Sequence, residues 1–481
     1  MSLSSKSIRG AFWSFLETFG LRVVSVGVFF VLAILLEPEV FGLIALANAF
    51  VNFANRFVEQ GLVTAIVQRK DLEDAHLSSA FWGNLAIGAL FFALTQVAAP
   101  WIAQWYEAPA LTEVLRAFAF IFVIHALAKV QEGLLQRDFQ FKILAKRRII
   151  AILCGGAVGL TMAWQGFGVW SLVGQNLSFQ TIQAIILWRE STWRPRWEFS
   201  WSHYWDLFAF GGQMMINRLV IYANKHGADL IIGYFLGTTA LGYFSIANKV
   251  FTILVDLISN VLAKVSLSLF SRLQEQPEQL VAHLKKTLEL GCYVALPVFG
   301  GMVVLGPELI PLVVGAKWEP SMLTLQLLAG AGVFLTIHTI LDSAVLAKGR
   351  PFLSMKGHLF FAVGNILLFY LVVSRGIEAV AAAYLGLSVI LVPIVLMLFR
   401  KLLGFHIVDL LRVLGRPVLG AVLAGGLYFL GWSIWPEMPL IGKLGLFLLA
   451  CLLYLGMAYR LSPGFFRLLH RFLPVKIKPQ A

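Results

Sequence analysis

Gly42-Leu43-Ile44-Ala45-Leu46-Ala47-Asn48 and Gly242-Tyr243-Phe244-Ser245-Ile246-Ala247-Asn248 are two copies of one pattern. Gly, Ala and Asn recur in the same slots, and Leu36 and Leu236 match just before them. Each copy follows one long apolar run and opens another. The chain around them has 481 residues, of which 59% are hydrophobic and 13% charged, with a mean hydropathy of +0.82. Ordinary soluble domains carry about 25% charged residues, so this chain cannot cover a water-facing surface and reads as an integral membrane protein. A duplicated pattern in such a chain implies a duplicated helix bundle. Duplicated bundles rock against each other around a central site, as transporters do.

Working outward, fourteen apolar stretches approach or exceed the roughly 20 residues a bilayer requires. They lie at 9–36, 40–66, 78–106, 112–135, 148–165, 168–189, 204–236, 240–270, 283–306, 321–347, 353–373, 377–399, 413–434 and 440–460. The expected fold is an all-α polytopic membrane protein. The 148–165 stretch is short and holds Gly155 and Gly156. The first run is too long for a cleaved signal peptide and reads as a span. With the N-terminus inside, the inner segments collect 27 Lys and Arg residues, while the outer loops hold little beyond Lys317 and Arg375. That asymmetry is expected to put both termini on the cytoplasmic side of the membrane. It also accounts for the net charge of +13 without nucleic acid, because the excess faces anionic lipid head groups. Trp101, Trp105, Trp432 and Trp435 mark outer boundaries; Trp193, Trp197, Trp201 and Trp205 mark an inner one.

The polar loop 191–203 divides the chain into an N-terminal lobe, 1–190, and a C-terminal lobe, 204–400. Each holds six spans, so the copies share one orientation and the repeat is parallel. Two additional helices follow in 401–461, then a basic tail, 462–481.

Ionisable residues at mid-bilayer cost roughly 2.5–3.5 kcal/mol on insertion scales, yet several lie inside spans. Span 7 carries Arg218, Tyr222, Lys225 and Asp229, whose spacings of 4, 3 and 4 put them on one helical face. Span 1 repeats the theme with Thr18, Arg22 and Ser25. Span 2 carries Asn48, Asn52, Asn55 and Glu59 at 4, 3, 4, with Arg56 alongside. Span 8 carries Asn248, Lys249, Thr252, Asp256 and Asn260. These faces are expected to line a water-filled cavity. The cations Arg22, Arg56, Arg218, Lys225 and Lys249 outnumber the anions Glu59, Asp229 and Asp256. A positive cavity suits an anionic substrate, and the arginine fork matches phosphate oxygens. Each of Arg56–Glu59 and Arg218–Asp229 also has a purely structural reading as an ion pair joining helices. His125, Lys129 and Glu132 on span 4, and His338 and Asp342 on span 10, have relay spacing but read more readily as satisfied polar groups. Glu17, Arg116, Lys264, His358 and Glu378 sit near span ends, where snorkelling accounts for them.

Enzyme signatures are missing from the sequence: no phosphate-binding glycine loop with Lys, no His-Glu-x-x-His, no nucleophile elbow. Glu37-Pro38-Glu39 in the first outer loop reads as a solvated rim. Cys154, Cys292 and Cys451 have neither metal-ligand spacing nor a loop position for a disulfide, and read as small core residues. No cofactor or metal is expected.

Several stretches resemble the polysaccharide transporter family of bacterial lipid-linked oligosaccharide flippases, in its colanic-acid-exporter-like branch. They are Gly61-Leu-Val-Thr-Ala-Ile-Val-Gln-Arg-Lys-Asp-Leu, His76-Leu-Ser-Ser-Ala-Phe-Trp, Leu134-Leu-Gln-Arg-Asp-Phe, Gly166-Phe-Gly-Val-Trp-Ser-Leu-Val, Trp193-Arg-Pro-Arg and Leu236-Gly-Thr-Thr-Ala-Leu-Gly-Tyr-Phe-Ser-Ile-Ala. The likeness covers roughly 1–400. It implies the superfamily of multidrug, lipid II and oligosaccharide flippases: two six-helix lobes, a central cavity and alternating access. It also implies the substrate, an undecaprenyl-pyrophosphate-linked oligosaccharide repeat unit for lipopolysaccharide or exopolysaccharide, moved to the outer leaflet. On that reading Arg22, Arg56, Arg218, Lys225 and Lys249 attract the pyrophosphate and acidic sugars. Asn48, Asn52 and Asn248 bond the glycan, and Glu59, Asp229 or Asp256 carries a coupling H+ or Na+. A polysaccharide polymerase and a chain-length regulator are expected partners by resemblance. The alternatives are a cation-coupled drug exporter on the same fold, which calls for an acidic cavity, and a membrane glycosyltransferase or ligase using Glu37 and Glu39.

Overall fold

A computed structural model describes residues 23–59, 61–436 and 438–461, without the side chains of 209–221, 223–225, 399, 401, 403 and 461. The described residues contain helices and no strands. In chain order the helices are α1 (Val23–Leu35), α2 (Pro38–Glu59), α3 (Leu62–Gln68), α4 (Asp74–Trp105), α5 (Ala110–Arg137), α6 (Phe141–Trp164), α7 (Val169–Glu190), α8 (Trp201–Arg272), α9 (Pro277–Val314), α10 (Met322–Ala347), α11 (Pro351–Val372), α12 (Ile377–Leu403), α13 (Ile407–Ile434) and α14 (Leu440–Leu461). Where its residues are described, each of the fourteen expected spans falls on helix, and one is interrupted. The second span is α2 plus α3, broken at Gly61, whose φ of 67° is left-handed. Spans 7 and 8 both fall within α8 and meet at Gly237 (φ 81°, ψ 179°), whose backbone is not helical. That backbone conformation is open essentially to glycine alone.

Nine helical stretches among the described residues are long and apolar enough to cross a membrane by composition. α6 and α7 are not among them, and their packing shows why they are helices all the same. A Cβ on Gly155 would lie 2.9 Å from the Gln175 carbonyl oxygen, and one on Gly159 would lie 2.9 Å from the Gln175 side chain. Glycines four apart let the α6 and α7 backbones approach closely, as small-xxx-small pairs do in lipid. The short, glycine-bearing stretch at 148–165 is thus a 24-residue helix held by close contact rather than by hydropathy. On the windows of α4 and α14 only 11% of residues are buried. Leu94, Val97, Leu452 and Leu455 stand exposed there, as lipid-facing residues do.

The contacts divide the chain into two compact units. The first comprises 1–245, 313–318 and 369–377; the second comprises 246–312, 319–368 and 378–481. In the first, Leu62, Ile66, Leu77, Phe81, Val130 and Leu207 form a buried cluster joining α3, α4, α5 and α8. The short Val313–Trp318 segment belongs to this unit and closes the end of α1. Trp318 is fully buried, and its Nε1 donates to the Ala33 carbonyl at 2.9 Å. Lys317 Nζ donates to the carbonyls of Ile34 at 2.9 Å and Leu36 at 2.8 Å. A helix leaves its last four carbonyls without intrahelical partners, and an indole and an ammonium satisfy three of them here. Lys317 also lies 3.6 Å from Glu37, so the Glu37 carboxylate faces a cation.

In the second unit the core is built from Phe270, Leu280, Leu284, Leu288, Ile340, Leu391, Val395 and Phe405. The two helices beyond the repeat pack on one another and on α9: Gly420 against Tyr454, Gly431 against Leu446 and Gly301 against Phe447. All three cysteines are free, but only Cys292 is buried; Cys154 lies on the outer surface of α6, contrary to its reading as a core residue.

The glycines that open the two copies meet inside the first unit. A Cβ on Gly42 would overlap the Thr238 carbonyl and lie 2.8 Å from the Gly242 amide nitrogen; one on Gly242 would overlap the Pro38 carbonyl. The repeated glycines are the crossing point of α2 and α8, where main chain touches main chain.

Candidate functional site

The polar faces of α2 and α8 lie against each other below that crossing. Tyr222 Oη donates to the Ala49 carbonyl at 2.5 Å and approaches the Asn48 carbonyl at 3.4 Å. Its ring stacks on His226 with centroids 4.5 Å apart, and His226 Nδ1 lies 2.8 Å from the Asp229 carboxylate, a buried group. On the other side the Arg56 guanidinium sits 5.8 Å from the Tyr222 ring centroid, within cation–π range.

From Arg56 a chain of alternating charge continues through α2, α5 and α6. Arg56 is 3.5 Å from Glu59, Glu59 is 3.0 Å from Lys129, Lys129 is 3.3 Å from Glu132, and Glu132 is 3.1 Å from Arg147. The Arg147 and Lys129 side chains are only 7% and 15% exposed. Three cations and two carboxylates leave this row with one net positive charge. Beside it lies a cavity of about 250 Å³ lined by His125, Lys129, Glu132, Arg147, Arg148 and Gln180 among others. The His125 Nδ1, the Arg147 Nε and the Arg56 Nε are buried without hydrogen-bond partners. Buried polar groups are nearly always partnered by protein or water, and of these three residues His125 and Arg147 line the cavity.

The structure brings some of the sequence candidates together and not others. Arg56, Glu59 and Asp229 belong to this line; Asn48 enters it through its main-chain carbonyl, and Asn52 is half-buried on the same helix. Asp256 accepts from Asn260 Nδ2 at 2.5 Å, Asn248 is half-buried and Lys249 is exposed; these residues belong to the second unit. Arg22 lies outside the described residues. Arg218 and Lys225 lie on α8 with side chains outside the description. Four participants were not in the substrate set: Lys129, Glu132, Arg147 and His226. The sequence did carry signals for them, the His125/Lys129/Glu132 spacing and the i, i+3 spacing of His226 and Asp229. Arg147 was read as an inner-loop cation; it is instead buried in the second turn of α6. In the second unit Asp342 pairs not with His338 but with His358 at 3.4 Å, so His358 is more than a snorkelling end residue.

The stretches that carried the family resemblance prove to be joints. Arg137 donates to the carbonyls of Ile66 (2.7 Å), Arg69 and Lys70 (3.0 Å), tying the Leu134–Phe139 stretch to the end of α3. Ser78 and Ser79 hydroxyls accept from the Arg196 and Ser200 amides at 3.2 and 2.8 Å. Trp82 Nε1 donates to the Arg196 carbonyl at 2.7 Å and its ring stacks on Trp197. The 191–200 segment is therefore strapped along the start of α4. Gly166 and Gly168, with φ of 82° and 55°, form the tight α6–α7 turn.

Comparison with known proteins agrees with this architecture. Residues 31–323 match the family described as "Polysaccharide biosynthesis protein". The chain is 26% identical to the teichuronic acid biosynthesis protein TuaB of Bacillus subtilis, over 80% of this chain and 78% of TuaB. It is 24% identical to the lipopolysaccharide biosynthesis protein WzxC of Escherichia coli, over 88% and 83%. With the succinoglycan biosynthesis transport protein ExoT of Rhizobium meliloti it shares 27% identity over 68% and 67%. In fold it resembles the lipid II flippase MurJ in its inward closed conformation (TM-score 0.75, 15% identity, covering 94% of this chain and 99% of that one). It also resembles an inward-facing multidrug resistance transporter of the MATE family (TM-score 0.64, 14% identity, 80% and 94%). An all-α, multi-pass membrane chain whose motifs are the joints of such a bundle, and whose match spans 31–323, belongs to the polysaccharide biosynthesis protein family.

Proposed function

We propose that the protein is a flippase of the bacterial inner membrane that moves undecaprenyl-pyrophosphate-linked oligosaccharide repeat units from the cytoplasmic to the periplasmic leaflet. It works by alternating access of two lobes, 1–190 and 204–400, with both termini in the cytoplasm. The observation that carries this reading is the polar line Asp229–His226–Tyr222–Arg56–Glu59–Lys129–Glu132–Arg147, inside a bundle with the fold of a lipid II flippase. The line runs from Asp229, inside a span, to Glu132 and Arg147 at the inner ends of theirs, and fixed charges inside spans mark substrate or ion pathways. The positive end of the line, Lys129 and Arg147 with Arg148 at the 250 Å³ cavity, suits a pyrophosphate arriving from the inner leaflet. Arg22, Arg218, Lys225 and Lys249 add cations, and Asn48, Asn52 and Asn248 supply bonds to the glycan. Glu59, which can exchange Lys129 for a proton or Na+, is the preferred coupling carboxylate, ahead of Asp229 and Asp256. A polymerase and a chain-length regulator would act on the flipped product. The chain acts as a transporter rather than an enzyme: the drug-exporter reading calls for an acidic cavity, and the ligase reading needs Glu37, which pairs with Lys317 instead.

The test is the location of undecaprenyl-linked oligosaccharide in cells depleted of this protein. Complete repeat units retained in the inner leaflet, with surface polysaccharide lost, are expected. Incomplete units, or complete units already outside, would place the protein in sugar addition or later assembly.

A further inference from the structure

At the inner end of α4 and α8, away from the polar line, four ligand-type side chains converge. Glu73 and His76 stand at the start of α4, and His203 and Asp206 in the first turns of α8. His203 Nε2 is 3.7 Å from Glu73 Oε2, and His76 Nε2 is 3.9 Å from Asp206 Oδ2. One ligand atom from each of Glu73, His76 and His203 lies within 4.8 Å of the others. The two imidazoles meet edge to face with centroids 4.3 Å apart.

Two observations separate this group from a solvated salt-bridge cluster. His76 is only 3% exposed, and its Nε2, aimed into the group, has no hydrogen-bond partner. His203 Nδ1 is held 2.7 Å from the Ser200 hydroxyl, which leaves Nε2 free to point at the group. This is the outer-sphere bond that orients an imidazole for a metal.

We propose that Glu73, His76, His203 and Asp206 bind one divalent transition-metal cation of the zinc class. Zinc takes nitrogen and carboxylate oxygen at about 2.0–2.2 Å in a tetrahedron, which sets ligand atoms roughly 3.3 Å apart. The observed separations close to that by small side-chain rotations. The carboxylates of Glu73 and Asp206, the latter 3.5 Å from Arg69, are the charges a dication would neutralise. The Glu73 amide donates to His76 Nδ1 at a long 3.4 Å. Metal at Nε2 displaces its proton, Nδ1 takes one up, and that bond opens. The imidazoles exclude Mg2+ and Ca2+, which prefer oxygen. Bound metal clamps the first turn of α4 to that of α8, beside the 191–200 strap.

The experiment uses the full chain, purified in detergent by a tag without histidine and stripped with chelator. Zn2+ is titrated by calorimetry and Co2+ by visible absorption. One equivalent of Zn2+ per chain, a rise in Tm and a tetrahedral Co2+ spectrum are expected. His203→Ala should weaken Zn2+ at least tenfold; Asp206→Asn, at an exposed position, should do likewise and serves if His203→Ala misfolds. No Zn2+ binding, full-strength binding in both variants, or an equal Tm rise with Mg2+ would overturn the assignment.

Discussion

Lys129 is the residue on which the polar line turns, because it alone touches both Glu59 and Glu132. Removing one partner of a buried ion pair costs about 3–5 kcal/mol, since the remaining charge is stranded. Lys129→Met should therefore lower Tm in detergent and abolish export, by leaving two carboxylates facing each other. Adding Glu59→Gln to Lys129→Met should restore part of the Tm but not export, and this double-variant comparison separates folding from function. Arg137 tests the structural class of charge. Arg137→Lys keeps the charge but cannot reach three carbonyls, so it should cost about 1–3 kcal/mol of stability while surviving protein transports normally. Of the charged residues in the spans, the sequence singled out Arg56, Glu59 and Asp229, and the packing brings these three into one line. The sequence could not show that Lys129 and Arg147 complete the set. Those residues are 70 and 88 positions from Glu59, and only the packing of α5 against α2 and of α6 against α5 brings them near.

At the level of elements, the α2–α8 crossing rests on Gly42 and Gly242. Gly42→Ala should reduce folded yield sharply, because its methyl would overlap the Thr238 carbonyl. Gly300→Ala, on α9 with nothing within 4 Å of the added carbon, should be neutral or gain up to about 1 kcal/mol from helix propensity. Size-exclusion profiles of the two variants check both statements. The start of α13 has its own charge device: His406 and Asp409 form a capping box, and Asp409 accepts from Lys285 at 2.7 Å. The bond from Lys285 holds the Asp409 carboxyl below its ordinary value, helped by the His406 amide. A depressed carboxylate contributes stability above its unfolded pKa, near 3.8, and loses it as pH falls through the folded value. Asp409→Asn should therefore lower Tm at neutral pH and flatten the acid limb of the Tm–pH profile, the gap to the parent closing as pH falls through the folded value. Helix existence was legible throughout, from runs of apolar residues. Helix joining was not: that spans 7 and 8 meet at a kink with no loop between them rests on the positive-φ backbone of Gly237.

For the whole molecule, orientation is the testable property. In spheroplasts of a strain carrying Cys154→Ser, Cys292→Ser and Cys451→Ser, a cysteine placed at Glu107 should react with a membrane-impermeant thiol reagent. One placed at Gln276 should react only after permeabilisation. The reverse pattern would invert the topology and with it the direction of transport.

The sequence by itself determined the solvent, the all-helical class, the span positions and the family. Each of these follows from local composition or short motifs, and a bilayer leaves a chain of this hydropathy few other choices. Only the tertiary structure decided which charges share a line, that the repeated glycines touch, and that His76 and His203 meet. Those are contacts between residues distant in the chain, and helical periodicity fixes the face a side chain occupies without fixing which helix faces it.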